Sequence, residues 1–551
     1  MIPAHGLPRI AVQCAATLAL YRCLLAPAAR WCAGRLGAGV FPAKALNGTH
    51  PERPARPADV LWVCLLLAPL TALACGYAHT PAGGVALLPP AALAILLWKH
   101  LTADYDAARE LGWQRADRIA GGLLGVAALV WPALSYAAVI ALCGRLGGWT
   151  HHSKACVRVV KVAFGWSLVG AGYDALAGPQ PTDDTAGLLM LLGLVHLSHY
   201  VVPARTKVRL GPRPWSWVTR NRTEMLIAAA YARGWARLLP EPTAARLIGA
   251  LAPFTVGLNA ATLVVEGMGL VAYAHRWLLL AAVVGAVLFN LTVALTSGLL
   301  FWEHIALGAL LAVLIVRAPA PVRAELCGPG PWLLSVAVLA LVLCGVAWRP
   351  TELGWWDTPF TARVYWCART RLGHTVGLYN DFMRPFDREY GRSVGNPLAT
   401  EPLVTFAMGG VRDPGLRDRL LALGPDAEAL HRLKSRYGTR RWDPDYQARH
   451  GQYLTRLVAR INAGVAKSPL PRALRWLRAP GSHYYYWGDL PGYRPHHGPL
   501  TAVQVRYREV YFHAASGTFV RLRDEALLDL PIPPADGAPP AGLDRPEPEG
   551  R

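Results

Sequence analysis

Residues 278–302 read LLLAAVVGAVLFNLTVALTSGLLFW, and residues 119–143 read IAGGLLGVAALVWPALSYAAVIALC; neither run contains a charged side chain. Crossing the hydrocarbon of a bilayer takes about 20 apolar residues in a helix, so each run is long enough to span. Working outward, residues 60–77, 186–202 and 332–348 repeat the pattern. Residues 247–274 carry a single Glu266, and residues 159–177 carry Lys161 and Asp174. The shorter runs 84–98 and 305–316 fit spans, re-entrant pieces or continuations of a neighbour. The pattern predicts about seven to nine spans. In lipid only helices and closed barrels satisfy their own backbone groups, and runs of this length fit helices. The expected fold is therefore mainly α, a polytopic transmembrane helical bundle.

Composition agrees. Among 551 residues, 53% are apolar and 17% charged, against about 25% charged in an ordinary soluble domain. A disordered chain, a disulfide scaffold and a typical soluble enzyme are excluded. The formal charge is +21, with 56 basic and 35 acidic residues. Residues 349–551 hold 29 basic and 21 acidic side chains, leaving 27 and 14 for the apolar part. That surplus reads as basic membrane loops rather than a nucleic-acid patch. The expected partner is the lipid bilayer, with no nucleic acid. The Ala, Arg, Gly and Pro bias is associated with GC-rich bacterial genomes, which points to a multi-pass protein of the cell membrane.

Four segments follow: residues 1–58, 59–348, 349–530 and 531–551. In the first, the apolar stretch 10–32 is interrupted by Arg22 and Arg30 and preceded by Arg9. It reads as an amphipathic interfacial helix, with a Pro-rich linker (PERPARP) after it. The second is the transmembrane bundle. The third reads as a C-terminal extramembrane α+β domain. Two short helices over 417–436 break at Gly424-Pro425, a helix covers 446–465, and a hairpin over 503–520 turns at Ser516-Gly517. The fourth, rich in Pro, Gly and acid, is expected to be disordered. Ten cysteines occur without a CxxC. Cys143 and Cys156 could pair across one loop, although buried thiols are the plainer expectation.

Ionisable groups inside apolar runs are the candidate chemistry, because a charge at membrane depth is costly and takes a partner or a task. His196 and His199 share a helix face, Tyr200 lies one turn on, and Lys207 follows Pro203. A Lys against an apolar pocket loses basicity and can act as a general base. The alternative is a snorkelling side chain among Arg205, Arg209 and Arg213. No third ligand accompanies the two histidines, so no metal site is expected. Glu266 calls for a basic partner from another helix. Asn290, Thr292, Thr296 and Ser297 suit interhelical hydrogen bonds. Glu303 and His304 read as the end of a span. Asp104 and Asp106 could hold a divalent metal and a diphosphate, or be a solvated loop balanced by Arg109, Arg115 and Arg118.

Tyr200, Ala204, Lys207 and Trp215, then Glu266, then Phe289-Asn290, Gly298 and Phe301-Trp302 form a series. Over residues 159–316 it resembles the horizontally transferred transmembrane (HTTM) domain family, which includes the vitamin K-dependent gamma-carboxylases. The resemblance implies that Lys207 is the base that deprotonates a reduced quinone. In the family the quinol anion reacts with dioxygen, and the strong base so formed drives carboxylation of a peptide Glu. It also implies a lipophilic substrate, with His199 and Glu266 orienting or charge-balancing Lys207. Asn290 stands where the family has His, Gly211-Pro212 stretches the spacing to Trp215, and the tail carries nothing like the carboxylase's substrate-binding region. The expectation is accordingly a lysine-base-dependent redox or carboxylase-like reaction on a lipophilic, quinol-like substrate, with carboxylation of peptides not assumed. Two other readings remain open. One is a magnesium-dependent membrane prenyltransferase using Asp104 and Asp106. The other is a non-enzymatic transporter or scaffold that presents the tail domain.

Overall fold

The computed structural model describes residues 6–29, 31, 86–102, 105, 108, 111–146, 153–236, 239–378, 396–405, 407–465, 468–480 and 490–532. The helical part comprises α1 (Leu7–Leu20), α2 (Leu88–Thr102), α3 (Leu111–Val130), α4 (Ser135–Leu146), α5 (Ser153–Ala177) and α6 (Pro181–Val208). These are followed by α7 (Ser216–Arg220), α8 (Glu224–Ala232), α9 (Glu241–Leu251), α10 (Thr255–Gly267), α11 (Arg276–Ser297), α12 (Trp302–Arg317), α13 (Ala320–Leu326) and α14 (Pro329–Leu343). The C-terminal part adds β1 (Phe360–Thr370), β2 (Thr375–Gly377), α15 (Pro414–Ala422), α16 (Ala427–Tyr437), α17 (Pro444–Asn462), β3 (Leu500–His513) and β4 (Thr518–Pro531). The chain is mainly helical with a small antiparallel sheet.

Helix α6 is the axis of the helical part. Its apolar stretch is 94% buried, whereas the Glu241–Leu270 stretch is 17% buried and α11 28%. A helix that is apolar all round belongs inside, and a helix that shows Leu to its surroundings belongs at the rim. Pro181 starts α6, with Asp183 and Asp184 in its first turn. The fixed φ of proline and the dipole at the helix N-terminus both favour that arrangement. Pro203 does not end the helix, which runs on to Val208. Trp166, Leu189, Leu192, Val195, Tyr273 and Leu311 fill the space around it.

Several sequence expectations change. Among the described residues, five helices are long and apolar enough to cross a membrane, or six if the α12–α13 pair, bent by 115°, is one span. The expected seven to nine counted runs that the backbone divides. The charge-free run 119–143 is broken at Trp131, whose extended φ of −124° and ψ of 91° follow from the proline at 132. The run 278–302 ends early, because Gly298 adopts the left-handed conformation (φ 68°) and caps α11, and Trp302 opens α12. Glu303 and His304 therefore start a helix. The run 60–77 lies outside the described residues. The N-terminal helix, expected to be amphipathic and interfacial, packs against α5 and α6. It is apolar from Leu7 to Ala29, and the fully buried Arg9 pairs with Asp174 and Asp184 on α5 and α6. Arg9 also donates to the Gly178 carbonyl (2.7 Å), and Gln13 donates to Asp184 (2.9 Å). Cys156 is buried, and the side chain of Cys143 lies outside the described residues.

In the C-terminal part the strand order is β2-β1-β3-β4, antiparallel throughout. The hairpin expected over 503–520 is present and longer, with Gly517 at φ 64° in its turn. The two short helices and the longer one after them form as α15, α16 and α17. Leu454, Leu457 and Val458 of α17 pack on Trp366, Val503 and Val505 of the sheet. Beside this core Lys434 is buried between Glu401 (2.5 Å) and Glu509 (2.8 Å), and Tyr507 donates to Glu509 (2.5 Å). Burial works against the Glu401 carboxylate, but Arg523 and Lys434 hold it down at about 2. Lys434→Met strands Glu509 without its cation. The expected cost is about 3–5 kcal/mol, read as a lowered unfolding midpoint of the full chain; an unchanged midpoint refutes it.

Candidate functional site

His196, Tyr200, Ala204 and Lys207 recur at helical spacing on one face of α6. That face is closed by α10, α11 and α12, which bring Glu266, Asn290 and His304 to it. Lys207 Nζ pairs with Glu266 Oε1, the two side chains being 11% and 4% exposed. The indole of Trp217, on α7, lies 5.2 Å from the amine. Glu266 Oε2 is buried with no hydrogen-bond partner among the described residues. Tyr200 lies within electrostatic reach of Glu266, and its hydroxyl accepts from Asn290 Nδ2 at 2.5 Å. A buried ammonium–carboxylate pair can pass its proton internally to give a neutral amine and a carboxylic acid. The amine is then a base, and the free oxygen is an acceptor for an incoming O–H.

Lys207 and Glu266, expected to cooperate, are brought together. His199, expected beside them, faces elsewhere. Its Nδ1 donates to the Val195 carbonyl (2.8 Å), so Nε2 accepts from Arg158 Nη1 (2.6 Å). His199 also meets the ring of His304, with centroids 4.8 Å apart. His196 packs 5.5 Å from Tyr200 and 6.0 Å from His304, and neither of its ring nitrogens has a partner among the described residues. No group of three metal-ligating side chains occurs among the described residues. Asp104 and Asp106 lie outside them.

Three features escaped the sequence reading. Lys99 and Glu303 form a second buried ion pair. Ser153 Oγ lies 3.0 Å from the amine and 3.2 Å from the carboxylate, and Trp302 is 5.3 Å from the amine. Lys99 directly follows the apolar run 84–98, so no break in that run marks it. Arg158 precedes the run taken to begin at 159. The third is a junction between the helical and C-terminal parts. Asn221 donates to Asp357 Oδ2 and accepts from the Asp357 amide, both at 2.8 Å, and Trp355 donates to Oδ1 at 2.8 Å. Trp217 donates to the Trp355 carbonyl (2.9 Å), and Trp217 and Trp356 share a core with Phe360, Leu420 and Tyr511. Residues 354–357 thus lie over the end of α6 that carries Lys207. Gly354 is needed there, since a Cβ would stand 2.6 Å from Thr206. Burial pushes the Asp357 carboxyl up to about 7, against the hydrogen bonds from Asn221 and Trp355 and the charge of Lys207; Glu224 adds to the rise.

Comparison with family models, with curated proteins and with solved structures finds no match.

Two predictions follow from this geometry. Lys207→Met leaves Glu266 as a lone buried charge and lowers stability by about 3–5 kcal/mol. Adding Glu266→Leu recovers most of that loss, so unfolding midpoints of the two single variants and the double variant should be strongly non-additive; simple addition of the single effects contradicts a coupled pair. Asp357 gives a pH signature. Its folded pKa is raised, so the folded state holds the proton more tightly. The stability it contributes is complete below the usual carboxyl range, near about 4, and is lost as pH rises towards about 7. Unfolding midpoints measured from pH 4 to 8 should fall more steeply in the native chain than in Asp357→Asn; parallel curves contradict it.

Proposed function

We propose that the chain is an integral membrane enzyme of the cell membrane. In this reading it acts on a lipophilic, quinol-like substrate, with Lys207 as general base and Glu266 as its proton partner. The buried Lys207–Glu266 pair, with one carboxylate oxygen unpartnered, carries the proposal. The helices around it offer Phe254, Val264, Leu288, Leu295 and Val313 to their surroundings, apolar side chains suited to lipid. The domain after residue 348, with mixed charge and a polar exterior, then lies outside the bilayer beside the Lys207 end of α6. The HTTM-like series over residues 159–316 supplies the substrate class.

The residues fit such a substrate. The Trp217 ring offers a flat apolar wall, the neutral amine takes a hydroxyl proton, and Glu266 Oε2 accepts a hydrogen bond from the substrate. The resulting alkylammonium beside the quinol anion is a charge pair made inside a low-dielectric site, where such attraction is strong. Oxidation of that anion requires dioxygen as co-reactant.

The test is dioxygen uptake by the purified full chain with a reduced menaquinone analogue. Lys207→Arg keeps the charge and the pairing partner, but a guanidinium does not give up its proton. The rate should fall by about 10²–10⁴-fold while the unfolding midpoint holds. A folded Lys207→Arg variant with the native rate removes Lys207 as the base, and absence of quinol-dependent uptake by the native chain removes the substrate class.

A further inference from the structure

Arg158 of α5 is buried (7% exposed), and no carboxylate among the described residues pairs with it. Its contacts are neutral. Nη1 donates to His199 Nε2, Nη2 donates to the Arg349 carbonyl, and the Tyr21 phenol lies against it. These acceptors share its hydrogen bonds but leave its charge uncompensated. An isolated ion in an apolar interior costs several kcal/mol, which a counter-charge offsets. Among the described residues, three other cations enclosed in the helical part have acids: Arg9 has Asp174 and Asp184, Lys99 has Glu303, and Lys207 has Glu266. Arg158 is the exception among these.

What surrounds Arg158 is electropositive or neutral. His199 and His304 lie within its field, and His304 sits in the first turn of the 16-residue α12. The amides of that turn add positive potential. The Glu303 carboxylate next to it is taken by Lys99 and Ser153. Beside His304 stands His196, 3% exposed, with both ring nitrogens unpartnered among the described residues. A buried imidazole without hydrogen bonds is itself costly. One guest would relieve both: an oxyanion takes the charge of Arg158 and a hydrogen bond from the imidazole.

We propose that Arg158, His196 and His304 form a buried site for a phosphate-type oxyanion with no cation of its own, carried on an anionic lipid headgroup or free in solution. The site lies about three turns along α6 from Lys207, and its test measures no catalysis, so either proposal can fail alone.

The experiment uses the delipidated full chain in neutral detergent. Its unfolding midpoint is followed on adding inorganic phosphate, dioleoyl-phosphatidylglycerol or dioleoyl-phosphatidylcholine, with native mass spectrometry in parallel. A ligand that binds only the folded state raises the midpoint. Phosphatidylglycerol should raise it by several degrees and appear as a retained adduct, while phosphatidylcholine should do neither. A parallel rise with phosphate means that the free ion suffices; a rise with phosphatidylglycerol alone means that the lipid is the source. Arg158→Gln should lose the response, and Arg158→Lys should keep part of it. Equal effects of the two lipids, no effect of any oxyanion, or an undiminished response in Arg158→Gln overturns the proposal. If Arg158→Gln does not fold, the comparison on the native chain decides by itself.

Discussion

Helix α6 is enclosed by other helices, so its acids, its Lys and several of its other polar side chains take partners across a helix–helix boundary, while Thr185 and Thr206 bond back to carbonyls of α6 itself. Water cannot supply the partner there, and an unpaired group costs the full desolvation term. Much of the helical part can be read as the consequence. Asp184 at one end draws Arg9 and Gln13 of α1 into the bundle. Ser198 accepts from the Trp348 indole (2.9 Å) and anchors the exit of α14. Tyr200 engages Asn290 of α11, and Lys207 engages Glu266 of α10. These polar contacts set which helices touch α6 and in what register, while the apolar side chains fill the space between them.

The same constraint explains why the helical and C-terminal parts form one body. The end of α6 leaves Lys207, Trp217 and the turn at Asn221 partly open. Gly354, Trp355, Trp356 and Asp357 lie over them, and Arg417 from α15 donates to the Arg220 carbonyl (2.9 Å) with its guanidinium 4.8 Å from the Trp356 ring. On the other side of the sheet edge, Arg233 donates to the Ala362 carbonyl (2.7 Å), and Glu241 accepts from the Phe519 amide (3.1 Å). The C-terminal part acts as a cover whose fit depends on a few indoles and one carboxylate.

The sequence exposes this arrangement unevenly, and the physics says why. Glu266 is legible because a lone acid in an apolar run has to find a cation from another helix. The hairpin β3–β4 and the helices α15 to α17 are legible because alternation, helical spacing and turn residues agree there. Charge counting alone misplaces the breaks at Pro132 and Gly298, since both lie in charge-free runs whose backbone changes direction without any polar signal. Arg22 and Arg30 suggest a surface helix, but Arg9 finds two acids 165 or more residues away, a pairing that no local pattern contains. The Lys99–Glu303 pair is hidden for the same reason.

Histidine shows the limit most sharply. His196 and His199 look equivalent on the helix, three residues apart and both in an apolar run. In the bundle they differ completely. His199 has its tautomer fixed by the Val195 carbonyl and turns its acceptor to Arg158, whereas His196 is left with no partner among the described residues. Spacing puts two rings near one face, but which ring is committed depends on the α5 and α12 side chains that arrive from elsewhere. A ring already bonded at both nitrogens is structural mortar. One bonded at neither is where a ligand has something to gain, and that difference directs attention from the His199 expected beside Lys207 to the His196 that was not.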